Sequence, residues 1–244
     1  MTGNLEPSEL LSRGLQMLSV PEPGRVQAVM EKYLDELERC NPRFGLVKFE
    51  NRGELVTRHV LDSLAAWRVV RDAAAPRTGG VLDVGSGAGF PGIPLAAALP
   101  AIPFTLLERM ARRVSFLKTC AVLLGLPLLR VVQADFTKAE GDYDVVTLRA
   151  VAPFERFLHD IDQSAVRWRT AVAYKGRVER AREEVNDVRR SSYAGQKMQV
   201  VPLEHPFLDE ERCLIVASRE ESGKSNVDKP VRPGYDFSEG EPGS

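Results

Sequence analysis

The chain has 244 residues, 43% of them hydrophobic and 27% charged, with a formal net charge of −1. This balance excludes a disordered chain, and the length fits one α/β domain with an appended segment rather than two large domains. No uncharged apolar run approaches the ~20 residues needed to span a bilayer, and the polar, acidic opening MTGNLEPSEL has no signal-peptide character. A cytoplasmic protein is therefore expected. Cys40, Cys120 and Cys213 form no pair motif and read as small apolar residues in a reducing compartment. His59, His159 and His205 are equally dispersed, so no metal site is expected. The charge is uneven. From Glu220 onward the chain carries −3, which leaves +2 on the preceding residues, given the net −1.

Residues 1–75 are predicted to be a helical segment. Val26, Val29, Met30, Tyr33 and Leu37 recur at helical spacing, and Asn41-Pro42 is expected to break that helix. In a second helix Val60, Leu64 and Trp67 form an apolar stripe. His59, Asp62 and Ser63 fall on its opposite side by the ~100° step per residue. From residue 76 the pattern alternates short apolar runs with helical stretches. The runs begin at Val81, Phe104, Leu128, Tyr143 and Thr170, and they predict βαβ units with a parallel, doubly wound sheet. Val114, Leu117, Ala121 and Leu124 should face this sheet from the helix after the second run. The runs Met198 to Leu203 and Cys213 to Ala217 leave no room for a helix between them, so they predict a terminal antiparallel hairpin. Residues 220–244 form a polar, acidic tail that reads as disordered.

The segment VLDVGSGAGFPG reads as a buried strand, a glycine-rich turn and a helix start. Glycines permit positive φ and close backbone approach, and the free N–H groups of a helix start attract an anion. The spacing itself is ambiguous. Gly85, Gly87 and Gly89 give the GxGxG of methyltransferases, while Gly87, Gly89 and Gly92 give the GxGxxG of dinucleotide enzymes. Glu108, at the end of the second strand, stands where either class places an acid for ribose hydroxyls. Two further acids tilt the choice toward S-adenosylmethionine. Asp83 precedes the loop, where it would hold the methionine amino end, and Asp135 follows the third strand, where it would accept from the adenine amino group. The terminal antiparallel hairpin also matches the class I methyltransferase, or Rossmann-like, fold.

The blocks RHVLDSL, VLDVGSGAGFPGIPLA, LLERMARRVSFL, YDVVTLRAV, YKG and ERCLIVASR occur in this order with natural spacing. In these the chain resembles the bacterial glucose-inhibited division protein B family, the 16S ribosomal RNA guanine-N7 methyltransferases, over roughly residues 40 to 219. The resemblance implies S-adenosylmethionine as methyl donor and 16S rRNA, free or within the 30S subunit, as substrate, in a protein expected to be monomeric. It places cofactor contacts at Gly85, Phe90, Glu108, Ala134, Asp135 and Arg149, with Gly87 completing the loop. His59, Asp62 and Ser63 would position base or cofactor from the N-terminal helix. The chain departs from the family in having Gln133-Ala134-Asp135, Arg112-Arg113 and Gly45-Leu46 where Arg-Ala-Glu, a Lys pair and Asn-Leu are usual. Rival functions are a small-molecule methyltransferase and a non-catalytic nucleotide-binding regulator. Arg109, Arg112, Arg113 and Lys118 line one helix with no acid among them, and with Lys175 they are the expected RNA contacts. Arg149 should meet the cofactor carboxylate or an RNA phosphate rather than the reacting centre, because a guanidinium repels a sulfonium.

Overall fold

The alternation of side chains along each strand divides the apolar residues between two cores. In this computed structural model, which describes residues 5–75, 77–150, 152–191, 193 and 196–219, seven strands among the described residues form one sheet. They are β1 (Val81–Val84), β2 (Phe104–Glu108), β3 (Leu129–Gln133), β4 (Glu140–Arg149), β5 (Ala165–Lys175), β6 (Lys197–Leu203) and β7 (Arg212–Ser218). Their spatial order is β3-β2-β1-β4-β5-β7-β6. The first five pair in parallel, and β7 lies antiparallel between β5 and β6. The sequence reading anticipated this mixed sheet. Strands β4 and β5 begin earlier than their apolar runs suggested, because the polar residues Glu140 to Asp142 pair with Ala165 to Arg167. The acidic tail from residue 220 lies outside the described residues.

Val81, Leu106, Val145 and Val172 point into one core, and Leu82, Leu107, Val146 and Ala171 into the other. On the first face lie α1 (Pro7–Met17), α2 (Pro23–Phe44), a one-turn α3 (Arg52–Glu54), a π-helical turn Leu55–Leu61, α4 (Asp62–Leu64), α5 (Trp67–Ala74), α6 (Gly92–Ala98) and α7 (Ala111–Leu123). On the second face lie α8 (Phe154–Gln163) and α9 (Val178–Arg189). The N-terminal helices thus share a core with the sheet.

Two local expectations are corrected. Helix α2 runs through Asn41-Pro42 and stops at Gly45, which takes φ 58° and returns its N–H to the Asn41 carbonyl. The Asn41 side chain accepts from the Leu46 and Val47 N–H groups, so it ends the helix by capping rather than by breaking it. The second helical stretch is also not a regular α-helix. Its wider i→i+5 turn buries Leu55, Val56, Val60 and Leu61 together. The ~100° step set Asp62 and Ser63 opposite the apolar stripe, yet both are buried, at 5% and 0% exposed.

Arg52 fastens this stretch to α2. Its guanidinium meets Glu31 at 2.8 Å and Asp35 at 2.7 Å, and also pairs with Glu38. Replacing Arg52 by Ala leaves three carboxylates on one side of α2 without a counter-charge. The expected loss is about 1 kcal/mol, read as a lower melting temperature whose gap from the parent narrows in high salt.

Candidate active site

Strand β1 ends in the glycine turn because its neighbours hold it there. The Gly85 and Ser86 N–H groups both donate to the Leu107 carbonyl, at 2.9 and 3.1 Å. Gly85, Gly87 and Gly89 take φ of 68°, 59° and 107°, which side-chain-bearing residues rarely adopt. Gly92 is required for a different reason. A Cβ there would sit 2.3 Å from Leu106 Cδ2 and 2.7 Å from Asp83 Oδ2.

Asp83 supports the turn from beneath. Its Oδ1 accepts from Thr147 Oγ1 on β4 at 2.9 Å, and its Oδ2 from the Gly92 N–H at 3.3 Å. It is fully buried, and burial pushes its pKa up to about 6 against the lowering effect of these hydrogen bonds. This corrects the expectation of a direct cofactor contact, because the carboxylate has no surface to offer a ligand. From the opposite side, Tyr33 on α2 donates its hydroxyl to the Ala88 carbonyl at 2.5 Å. Burial raises the Tyr33 pKa far above that of a free phenol, so it remains a donor.

Glu108, 4% exposed, holds the turn from the end of β2. Its Oε2 accepts from the Gly87 N–H at 3.0 Å and its Oε1 from the Met110 N–H at 2.9 Å. Each oxygen retains a lone pair for another donor. Arg113 reaches back over the turn, 3.7 Å from Glu108 Oε2 and 3.9 Å from the place of a Cβ on Gly87. It therefore belongs to the glycine turn rather than to the exposed basic stripe, which keeps Arg109, Arg112 and Lys118. Asp135 is exposed, and its Oδ1 caps the short 3-10 turn Phe136–Lys138 by accepting from Thr137 N and Oγ1 at 3.1 and 2.8 Å. Those bonds hold its pKa below the usual carboxylate value and leave Oδ2 available. Ala134 follows β3 directly, with its N–H on the Glu108 carbonyl at 3.3 Å.

Arg149, at the end of β4, is more engaged than the sequence implied. It donates to Asp62 Oδ2 at 3.2 Å, meets His59 Nδ1 at 3.1 Å, and lies 5.2 Å from the centre of the Phe90 ring. Phe90 is nearly buried, edge-on to Tyr33 and tilted against His59. Asp62 is shared, because its Oδ1 also accepts from Arg212 Nε at 3.0 Å. Ser63 is fully buried. Its hydroxyl donates to the His59 carbonyl at 2.6 Å, and its own carbonyl accepts from Tyr174 at 2.7 Å. Lys175 is likewise not on an open basic surface, since it pairs with Glu184 at 2.5 Å. Beside these groups a cleft of about 990 Å³ opens at the carboxyl ends of β4 and β5, lined by Asp62, Arg149, Tyr174, Lys175, Glu184 and Arg212 among others. Tyr33, Thr147, Tyr174, Glu184 and Arg212 were not singled out from the sequence. Thr147, Tyr174 and Arg212 carried a signal, as members of the VTLRAV, YKG and ERCLIVASR blocks.

His59 is held neutral. Burial, and next the Arg149 charge, lower its pKa to about 4. In the unfolded chain it protonates near 6.5. Its contribution to stability is therefore present above pH 6.5 and is lost as pH falls toward 4. His59→Gln is expected to flatten this acid-side fall in melting temperature, measured against the parent from pH 7 to 4.

A family profile described as rRNA small subunit methyltransferase G (GidB) matches residues 26–214. The chain is 38% identical over 198 residues to the ribosomal RNA small subunit methyltransferase G of Treponema pallidum strain Nichols, covering 77% of this chain and 83% of that relative. It is 30% identical over 217 residues to the protein of the same name from Bordetella avium, covering 88% and 95%. Among solved structures, a human methyltransferase 10 domain containing protein superposes with TM-score 0.53 at 15% identity, over 78% of this chain and 97% of the other. A Bacillus cereus O-methyltransferase in complex with SAH superposes with TM-score 0.52 at 12% identity, over 77% and 90%. These two show the class I methyltransferase fold. By the family match and the Treponema relative, the chain belongs to the GidB family of rRNA small subunit methyltransferases G.

Proposed function

We propose that this protein transfers a methyl group from S-adenosylmethionine to N7 of a guanine in 16S rRNA, presented as free RNA or in the 30S subunit, in the cytoplasm. The observation that carries the reading is the junction of β1 and β2 in a chain of this family. There a positive-φ glycine turn is tied by the Gly87 N–H to Glu108. A Cβ at Gly87 would already touch the Gly85 carbonyl at 3.7 Å and the Arg113 guanidinium at 3.9 Å, so its absence lets a ligand lie against the backbone. The residues present suit the methyl donor. Gly85 and Gly87 form the floor, Glu108 would accept from ribose hydroxyls, and Ala134 with the free Oδ2 of Asp135 would meet adenine. Asp83 and Phe90 shape the turn from behind. The donor supplies an electrophilic methyl on a sulfonium.

Guanine N7 presents an in-plane lone pair and carries no proton at neutral pH. The chain therefore needs no general base, and its task is alignment. The acceptor would enter the cleft at the ends of β4 and β5, where open α/β sheets gather their ligands. Asp62 lies between Arg149 and Arg212 and offsets their charge, which lessens repulsion of a cationic methyl donor. Arg149 uses three of its contacts on Asp62, His59 and the Arg58 carbonyl. A guanidinium has five N–H donors, so donors remain for the cofactor carboxylate or an RNA phosphate. His59 and Asp62 act by holding Arg149. Among the described residues no helix is long and apolar enough to cross a membrane, and no group of His, Cys, Asp and Glu could hold a metal ion.

Incubation with labelled S-adenosylmethionine and unmodified 30S subunits, or free 16S rRNA, should yield labelled 7-methylguanosine. Cofactor binding without label in either RNA would overturn the proposal. Reversing charge at Arg109 and Arg112 should weaken RNA binding and make its salt dependence shallower by roughly one unit of slope per lost phosphate contact. Affinity for the methyl donor, measured by calorimetry, should be unchanged.

A further inference from the structure

The methyl-donor turn and the cleft lie side by side across the sheet. Val84 pairs with Leu148, and Arg149 with Tyr174, so the end of β5 stands two strands from the end of β1. At ~4.8 Å per strand that separation is about 10 Å. Lys175, the last residue of β5, points to the α9 side, where its ammonium meets Glu184 Oε2 at 2.5 Å. The same oxygen accepts from the Phe154 N–H at 3.2 Å, while Glu184 Oε1 has no hydrogen bond among the described residues. Both side chains are mostly covered, with Lys175 16% and Glu184 26% exposed, and both line the cleft.

This pair has the polarity of a guanine edge. Along the rim of that base come N7, then the O6 acceptor, then the N1–H and exocyclic N2–H donors. A base whose N7 faces the glycine turn therefore turns O6 and its Watson–Crick edge outward, toward β5 and α9. We propose that Lys175 and Glu184 read the acceptor as guanine. Lys175 donates to O6, and Glu184 Oε1 accepts from N1–H and the N2 amino group. Adenine reverses the polarity, because its N6 amino group would oppose the ammonium and its bare N1 would oppose the carboxylate. A carboxylate that leaves one oxygen open beside a docked ammonium discriminates through the unpaired charges the wrong base would leave. This inference rests on the proposed guanine-N7 activity and assigns base choice within it.

The test uses the full chain and 30S subunits in which the guanosine methylated by the parent enzyme is replaced, by RNA ligation, with inosine. Inosine lacks only the N2 amino group. The parent should lose about tenfold in kcat/KM on inosine, the scale of one hydrogen bond to a charged acceptor. E184Q should lose tenfold or more on guanosine, and its further loss on inosine should fall below twofold. Melting temperature and affinity for S-adenosylmethionine report on folding and on the donor site, and both should match the parent within error. If E184Q methylates guanosine as well as the parent, or if the inosine penalty is the same in both proteins, the inference fails and Lys175–Glu184 only anchors α9. If E184Q does not fold, the parent's inosine penalty still decides, since its absence removes any role for a carboxylate on N2. Absence of 7-methylguanosine with the parent itself overturns the underlying activity, and this inference with it.

Discussion

The buried carboxylate of Asp83 is the constraint on which the site depends. A carboxylate with no exposed surface needs hydrogen bonds within the protein, and here they come from Thr147 on β4 and the backbone of Gly92. One group thus joins two strands to the start of α6, and the chain between Asp83 and Gly92 must turn within that span. Tyr33 meets the turn from the N-terminal helices and Glu108 from β2. The glycines permit the required φ, and the surrounding donors and acceptors select it. The raised pKa of Asp83 reflects the cost of keeping a charge there.

A second buried carboxylate organises the cleft at the ends of β4 and β5. Asp62, the first residue of α4, reaches the end of β4 through Arg149 and the start of β7 through Arg212. These segments lie far apart in the chain, and the ion pairs bring them to one rim of the cleft. The wider spacing of the preceding π-helical turn packs Leu55, Val56, Val60 and Leu61 together, directly before the buried Asp62 and Ser63. His59 is carried into the same cluster as a neutral imidazole, with one nitrogen facing Arg149. Methyl transfer to a nucleophile with its own lone pair asks for such positioning rather than for proton transfer.

Much of the architecture could be read from short-range patterns. Apolar runs at β1 to β5 and the absence of a helix between β6 and β7 pointed to a parallel sheet with an antiparallel end, since side-chain period and connection length constrain both. The positions of the glycine turn and Glu108 were legible because strand, turn and strand end occupy fixed places on a βαβ unit. The burial of Asp62 and Ser63 was not legible because periodicity assumes a uniform α-helical step. Asp83 and Arg113 were assigned outward roles because residue type does not reveal which partners a side chain finds.

The sequence by itself determined the strand order along the chain, the glycine turn and the family to which the chain belongs, because these depend on local spacing and on ordered blocks. Only the tertiary structure decided that Asp83 supports the turn from below, that Asp62 is shared by two arginines, and that Lys175 and Glu184 face one cleft. Those contacts close between segments as many as 150 residues apart, as in Asp62 with Arg212. Such closure is set by packing of the whole sheet and its helices, and no local pattern encodes it.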